Sequence, residues 1–105
     1  MEADDGKVLL VTIHSVPDFD AYRSTVNSLP RDRISELGVI RRSLYQAADN
    51  PNEIMMVIEA RSVEDAKRIM SSGDQFRELF ERAGVTIYPP VFLGEEAERV
   101  EFASE

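Results

Sequence analysis

The 105-residue sequence has no cysteine, no tryptophan and one histidine, His14. Without cysteine there can be no disulfide, no thiolate nucleophile and no thiolate metal site. A lone histidine leaves no paired-histidine metal motif, and neither a glycine-rich phosphate loop nor a serine-histidine-acid signature is present. No binding motif for a metal or a cofactor is visible, so none is expected. Basic residues are also scarce, 12 against 20 acidic ones, for a net charge of -8. Nucleic acid and anionic membrane both need a basic patch, so neither is an expected partner. The acidity sits mainly in the flanks, in Glu2, Asp4 and Asp5 and in Glu95, Glu96, Glu98, Glu101 and Glu105. Long hydrophobic runs are missing too. Residues 1–6 are acidic and only a short apolar run follows, which argues against a signal peptide or a membrane span and makes the cytoplasm the expected location.

The length suits one small domain, and a chain of this size buries only about 60 to 65% of its surface when it folds alone. Two strand-helix-strand patterns run back to back, joined by a hairpin, giving the order βαβ-βαβ. Such a chain has one sheet with helices on one face, and its other face needs a cover. A second copy of the chain is the expected cover, with space for a small molecule between the facing sheets. The division is a flexible segment over 1–6, one domain over 7–94 and an acidic tail over 95–105. In that tail Val100 and Phe102 alternate, as in a short strand that a partner could accept, although a disordered tail fits equally well.

The first strand is read over 7–14 from its β-branched run. Period two puts Leu9, Val11 and Ile13 on one face and Leu10, Thr12 and His14 on the other. The wholly apolar face is expected to meet the helices, and the face with Thr12 and His14 to meet the cavity. Asp18 is a plausible N-cap for a helix whose stripe is Phe19, Tyr22, Val26 and Leu29. Pro30 breaks it before a short continuation that Gly38 ends. A second strand, 39–47, turns through Asp49-Asn50-Pro51-Asn52 into a third, 53–60. Ser62 and Asp65 resemble a capping box for the next helix, loosened near Gly73 and restarted at Asp74. A last strand over 85–88 meets Pro89-Pro90, which suit an edge or bulge, before Val91, Phe92 and Leu93 resume extended structure.

The segment His14-Ser-Val-Pro-Asp18-Phe19-Asp20-Ala-Tyr22, the hairpin Asp49-Asn-Pro-Asn-Glu53, the helix start Ser62-Val-Glu-Asp-Ala66-Lys and Arg82-Ala-Gly84-Val resemble the dimeric α+β barrel superfamily. That superfamily includes antibiotic biosynthesis monooxygenase-like proteins and small polyketide cyclases. The resemblance, over residues 8–93, implies an α+β, ferredoxin-like βαββαβ subunit with an antiparallel sheet that pairs with a second copy as a dimeric α+β barrel. It also implies a pocket between each sheet and its own helices or loops. Relatives include cofactor-independent oxygenases, cyclases, lactone isomerases and haem-degrading enzymes, so fold does not choose the reaction. Haem-degrading relatives use a pocket tryptophan, which this chain lacks.

His14 is the candidate acid/base, because histidine titrates near neutrality and can take a proton from a phenol or an activated C–H group. The plainer role is a strand-end cap bonded to a carbonyl or to solvent. Arg41 and Arg42 lie on opposite faces of the second strand. One of them could hold a carboxylate or phenolate, and the commoner fate is a salt bridge to Glu53 or Glu59. Thr12 shares the face of His14, and Tyr45 that of Arg41, while Tyr88 precedes the prolines. These three, with Tyr22, complete the candidate ligand-binding set. For Tyr22, Tyr45 and Tyr88 a packing role is the more common one. The function expected is a small homodimer binding an apolar, aromatic or polyketide-like molecule, with cofactor-independent monooxygenase or cyclase chemistry. The competing reading is a non-catalytic binding or interaction module.

Overall fold

The computed structural model describes residues 8–71, 81–82 and 90–103. Along them run β1 (Val8–Ser15), α1 (Phe19–Asn27), α2 (Arg31–Glu36), β2 (Val39–Ala47), β3 (Asn50–Ala60), α3 (Val63–Ser71) and β4 (Phe92–Glu95). The strands form an antiparallel sheet in the order β2-β3-β1-β4. Because β3 lies between β1 and β2, the connection through α1 and α2 must cross over the sheet, which is the split arrangement of a ferredoxin-like subunit. The expected α+β, ferredoxin-like architecture is therefore present.

Local chemistry accounts for the element ends. Asp18 is extended and its carboxylate accepts hydrogen bonds from the amides of Asp20 and Ala21, so it caps α1. α1 stops before Pro30, and α2 is the short continuation. Gly38 then turns the chain at φ 96°, a left-handed conformation that favours glycine. The Ser62 hydroxyl accepts from the Asp65 amide at 3.0 Å and opens α3. The Asp65 carboxylate does not complete the capping box. It pairs instead with Arg61 at 3.3 Å and Arg68 at 2.7 Å. The hairpin is tighter than expected, because β3 already begins at Asn50 and a register shift between Gln46 and Ala47 takes up the extra residues. The extended run at Phe92 and Leu93 is present as β4. The restart at Asp74, the strand over 85–88 and Tyr88 lie outside the described residues.

One expectation is corrected. Val8, Leu10, Thr12 and His14 are the buried side of β1, while Leu9 and Val11 are half-buried and Ile13 is 59% exposed. The helices therefore cover the face with Thr12 and His14, and the wholly apolar face is the open one. The physical reason lies in the packing partners. One core cluster joins Val16, Tyr22, Val26, Ile54 and Met56, and a second joins Val8, Leu10, Ala60, Ala66 and Ile69. The inward residues of β1 and β3 are thus those that α1 and α3 touch. Register confirms the pairing, with His14 opposite Ile54 and Thr12 opposite Met56.

Candidate functional site

The site is built on the helix-facing side of the sheet. His14, second from the end of β1, meets Tyr22 on the inner face of α1, with Nε2 and the hydroxyl 3.0 Å apart. Their rings meet edge-on, with centroids 5.3 Å apart. Tyr22 is fully buried and His14 is 8% exposed. Burial lowers the His14 pKa, so the imidazole is neutral at pH 7, and burial raises the Tyr22 phenol, so it stays protonated. Either the phenol donates to Nε2, or Nε2–H donates to the phenol oxygen and leaves the O–H for another acceptor. In the first arrangement His14 is a base with its proton donor attached. In the second, Tyr22 is a hydrogen-bond donor aimed by His14.

What holds the pair is a clamp supplied by Asn52. Its side chain accepts from the Phe19 amide at 3.3 Å and donates to the Pro17 carbonyl at 3.4 Å, while its backbone carbonyl accepts from the Val16 amide at 2.8 Å. Asn52 thereby ties the β1–α1 loop to the start of β3 and sets where α1 delivers Tyr22. In sequence it reads as hairpin chemistry and nothing more. Its real partners are over thirty residues away, and no local pattern signals them.

Arg42 faces the helices as well. Its guanidinium donates to the Val26 carbonyl at 3.4 Å and to the Asn27 side chain, and its Nε is buried without a hydrogen-bond partner among the described residues. The Arg42 charge also acts on the Tyr22 phenol, opposing part of the upward shift that burial causes. Thr12 is buried on the same side of the sheet, with its hydroxyl unpartnered among the described residues. Arg41 points to the opposite face and pairs with Glu59, so it is not brought to this site. Tyr45 is on that open face too, 53% exposed and opposite Met55. Of the expected residues described, His14 and Tyr22 meet, Thr12 and Arg42 lie on the same helix-facing side of the sheet, and Arg41 and Tyr45 lie on the other face.

Beside these residues a groove opens between α1, α2 and the sheet, with about 770 Å³ of space not filled by atoms once the open solvent at its mouth is included. Its walls are mainly Val26, Leu29, Ile34, Val39, Met56 and Ile58, with Arg42 and Arg33 as its charged members. A concave, largely apolar space with a few polar groups is the usual form of a small-molecule site. His14 and Tyr22 do not line it. Tyr22 lies one helical turn from Val26 along α1, in the core cluster that also holds Met56. Among the described residues no group of three or more histidine, aspartate or glutamate side chains is placed to hold a metal ion.

The fold is that of a ferredoxin-like α+β subunit, and it is similar to solved structures named as monooxygenases and as a dimeric ferredoxin-like protein. The likeness lies in structure alone, since no protein-family model matches the chain and no curated protein is similar in sequence. A Bordetella bronchiseptica protein, provisionally named an antibiotic biosynthesis monooxygenase, is similar at TM-score 0.69 and 13% identity, over 89% of this chain and 99% of that one. The Streptomyces coelicolor monooxygenase from ActVA-Orf6, solved with Nanaomycin D, is similar at TM-score 0.68 and 11% identity, over 92% and 93%. A dimeric ferredoxin-like protein from an uncultured marine organism reaches TM-score 0.57 at 17% identity, over 95% and 94%. Among the described residues no helix is long and apolar enough to cross a membrane.

Proposed function

We propose that this chain is a small homodimeric enzyme that binds an apolar, aromatic or polyketide-like molecule in the groove between α1, α2 and the sheet. The reaction proposed is cofactor-independent monooxygenase or cyclase chemistry. The observation that carries the reading is the buried His14–Tyr22 pair, with the half-buried Arg42 charge acting on the Tyr22 phenol, next to an apolar groove. Val26 separates the groove from the Tyr22 phenol, so a substrate reaches that phenol only when the Val26 side chain swings aside. As the substrate loses a proton to the Tyr22 oxygen, the phenolic proton of Tyr22 passes to Nε2 of neutral His14. Arg42 supports the anion that results. In an oxygenation without cofactor that anion itself reduces dioxygen, so the protein need only desolvate, orient and deprotonate it. The complex of a similar fold with Nanaomycin D favours this ligand class.

The homodimer is supported by the open sheet face. Leu9, Val11, Ile13, Met55, Val57 and Phe92 share it by register, and Ile13 and Phe92 are 59% and 66% exposed on the single chain. A continuous apolar face of this kind is what a second sheet covers. The similar marine protein is a dimer.

A non-catalytic binding module is the second reading, favoured by the complete burial of Tyr22. Oxygen consumption with a polycyclic phenol separates the two. The enzyme reading expects His14→Ala to lower turnover about 100-fold or more while the dimer stays intact. Full activity in that variant rejects His14 as the base. Binding of the phenol by the wild type without oxygen uptake or ring closure selects the binding module.

A further inference from the structure

The groove has a second half that the acid–base pair does not use. Val26, Leu29, Ile34, Val39 and Arg42 wall the apolar space and also a more polar one beside it, to which Asn27, Arg31 and Arg41 contribute. Arg33 lines the apolar half. Among the described residues no aspartate or glutamate lines either half. In a chain of net charge -8, four arginines border one groove.

Their charges are not answered equally. Arg41 has Glu59. Arg31, Arg33 and Arg42 have no carboxylate partner among the described residues. Among the described residues Arg42 donates only to neutral acceptors, and its Nε is buried without a partner. Burial holds its pKa below the ordinary value, Tyr22 opposes part of that shift, and the nearby Arg31 charge adds a smaller lowering. Removing a cation from water and placing a like charge beside it both cost free energy, and an anion between the two would offset both.

We propose that the groove takes an aromatic acid, its rings against Val26, Leu29, Ile34 and Met56 and its anionic group held between Arg42, Arg31 and Arg33. This inference rests on the groove being the ligand site and narrows that ligand to a molecule with an acidic group.

Two fluorescent probes with the same rings test it. 8-Anilino-1-naphthalenesulfonate carries an anion, and N-phenyl-1-naphthylamine is its neutral counterpart. Titrated into the full chain, the sulfonate is expected to bind at least about tenfold more tightly, since a charged hydrogen bond contributes about 1.5 to 3 kcal/mol. Arg31→Gln and Arg42→Gln should each remove most of that preference and leave the neutral probe unchanged. Arg31 is exposed, so its variant carries the comparison if Arg42→Gln fails to fold. Ile34→Trp fills the groove and should weaken both probes. Equal affinity for the two probes, with both lost in Ile34→Trp, overturns the anion site and leaves the groove as an apolar ligand site. If Ile34→Trp affects neither probe, the groove reading and this inference fall together.

Discussion

At the residue scale the informative group is His14, because a histidine buried against a phenol reports its surroundings through pH. Its folded pKa lies below the unfolded value of 6.5, so below pH 6.5 the unfolded chain takes up a proton that the folded chain resists. The neutral imidazole therefore adds stability that is fully present above pH 6.5 and is lost as pH falls from there through the folded pKa. Tyr22 and Arg42 keep their charge states across that window, so they add no slope there. Denaturant unfolding of the wild type and His14→Asn at pH 8 and at pH 5.5 should show the wild type losing more stability between the two. Equal losses would place the imidazole in water in the folded state. The same burial explains why the histidine was legible as a candidate and its environment was not. Residue type and strand position are local, whereas Tyr22 reaches His14 only after α1 has docked.

The element scale is where glycine and proline punctuation decides the geometry of the groove. α1 and α2 are two short helices and not one because Pro30 cannot donate to the preceding turn, and the groove lies in the angle this break creates. Gly38 then reverses the chain into β2, and its carbonyl accepts from the Arg61 amide at 3.0 Å, joining the start of β2 to the end of β3. A side chain at this position would need a left-handed backbone and would also run into the Asp65 carboxylate, which is held by Arg61 and Arg68. Gly38→Ala is therefore expected to cost about 1 to 3 kcal/mol, read as a lower urea midpoint with an unchanged slope. A loss below about 0.5 kcal/mol would mean that Asp65 swings away freely and that the turn is not strained by a side chain. The proline, the glycine and the caps at Asp18 and Ser62 were all readable beforehand, since each acts on residues within four positions of itself.

For the whole molecule the question is which sheet face is bare. The helices cover Val8, Leu10, Thr12 and His14 in β1 with Ile54, Met56 and Ala60 in β3. The other face carries Val11, Ile13, Met55 and Val57, edged by the Arg41–Glu59 ion pair and Tyr45. A charge placed there costs little in a single chain and a great deal in an apolar interface. Ile13→Asp should accordingly shift the mass seen by light scattering from that of two chains to that of one. A wild type that is already a single chain, or a variant that stays double, would reject this face as the interface. In 96–103 the tail adopts no strand within the single chain, and Phe102 is 94% exposed. Its expected donation of a strand to a partner stays a proposal, checked by deleting residues 96–105 and comparing the dimer's dissociation constant.

The sequence alone determined the types and order of the elements from β1 to α3 and most of their ends, though not the early start of β3 at Asn50, because strand period, helix stripe, N-caps, the proline break and the glycine turn all act over a few residues. It also divided β1 correctly into two sets of alternating side chains, since period two follows from backbone geometry. Which set faces inward was decided only in three dimensions. Leu9, Val11 and Ile13 are the more apolar set, yet the crossover through α1 brings Tyr22 onto the side of Thr12 and His14. The same holds for the arginines. Adjacent in sequence, Arg41 and Arg42 had to part to opposite faces, but only the packing of α1 and α2 made Arg42 the one that walls both halves of the groove, while Arg41 reaches its polar half alone and pairs with Glu59.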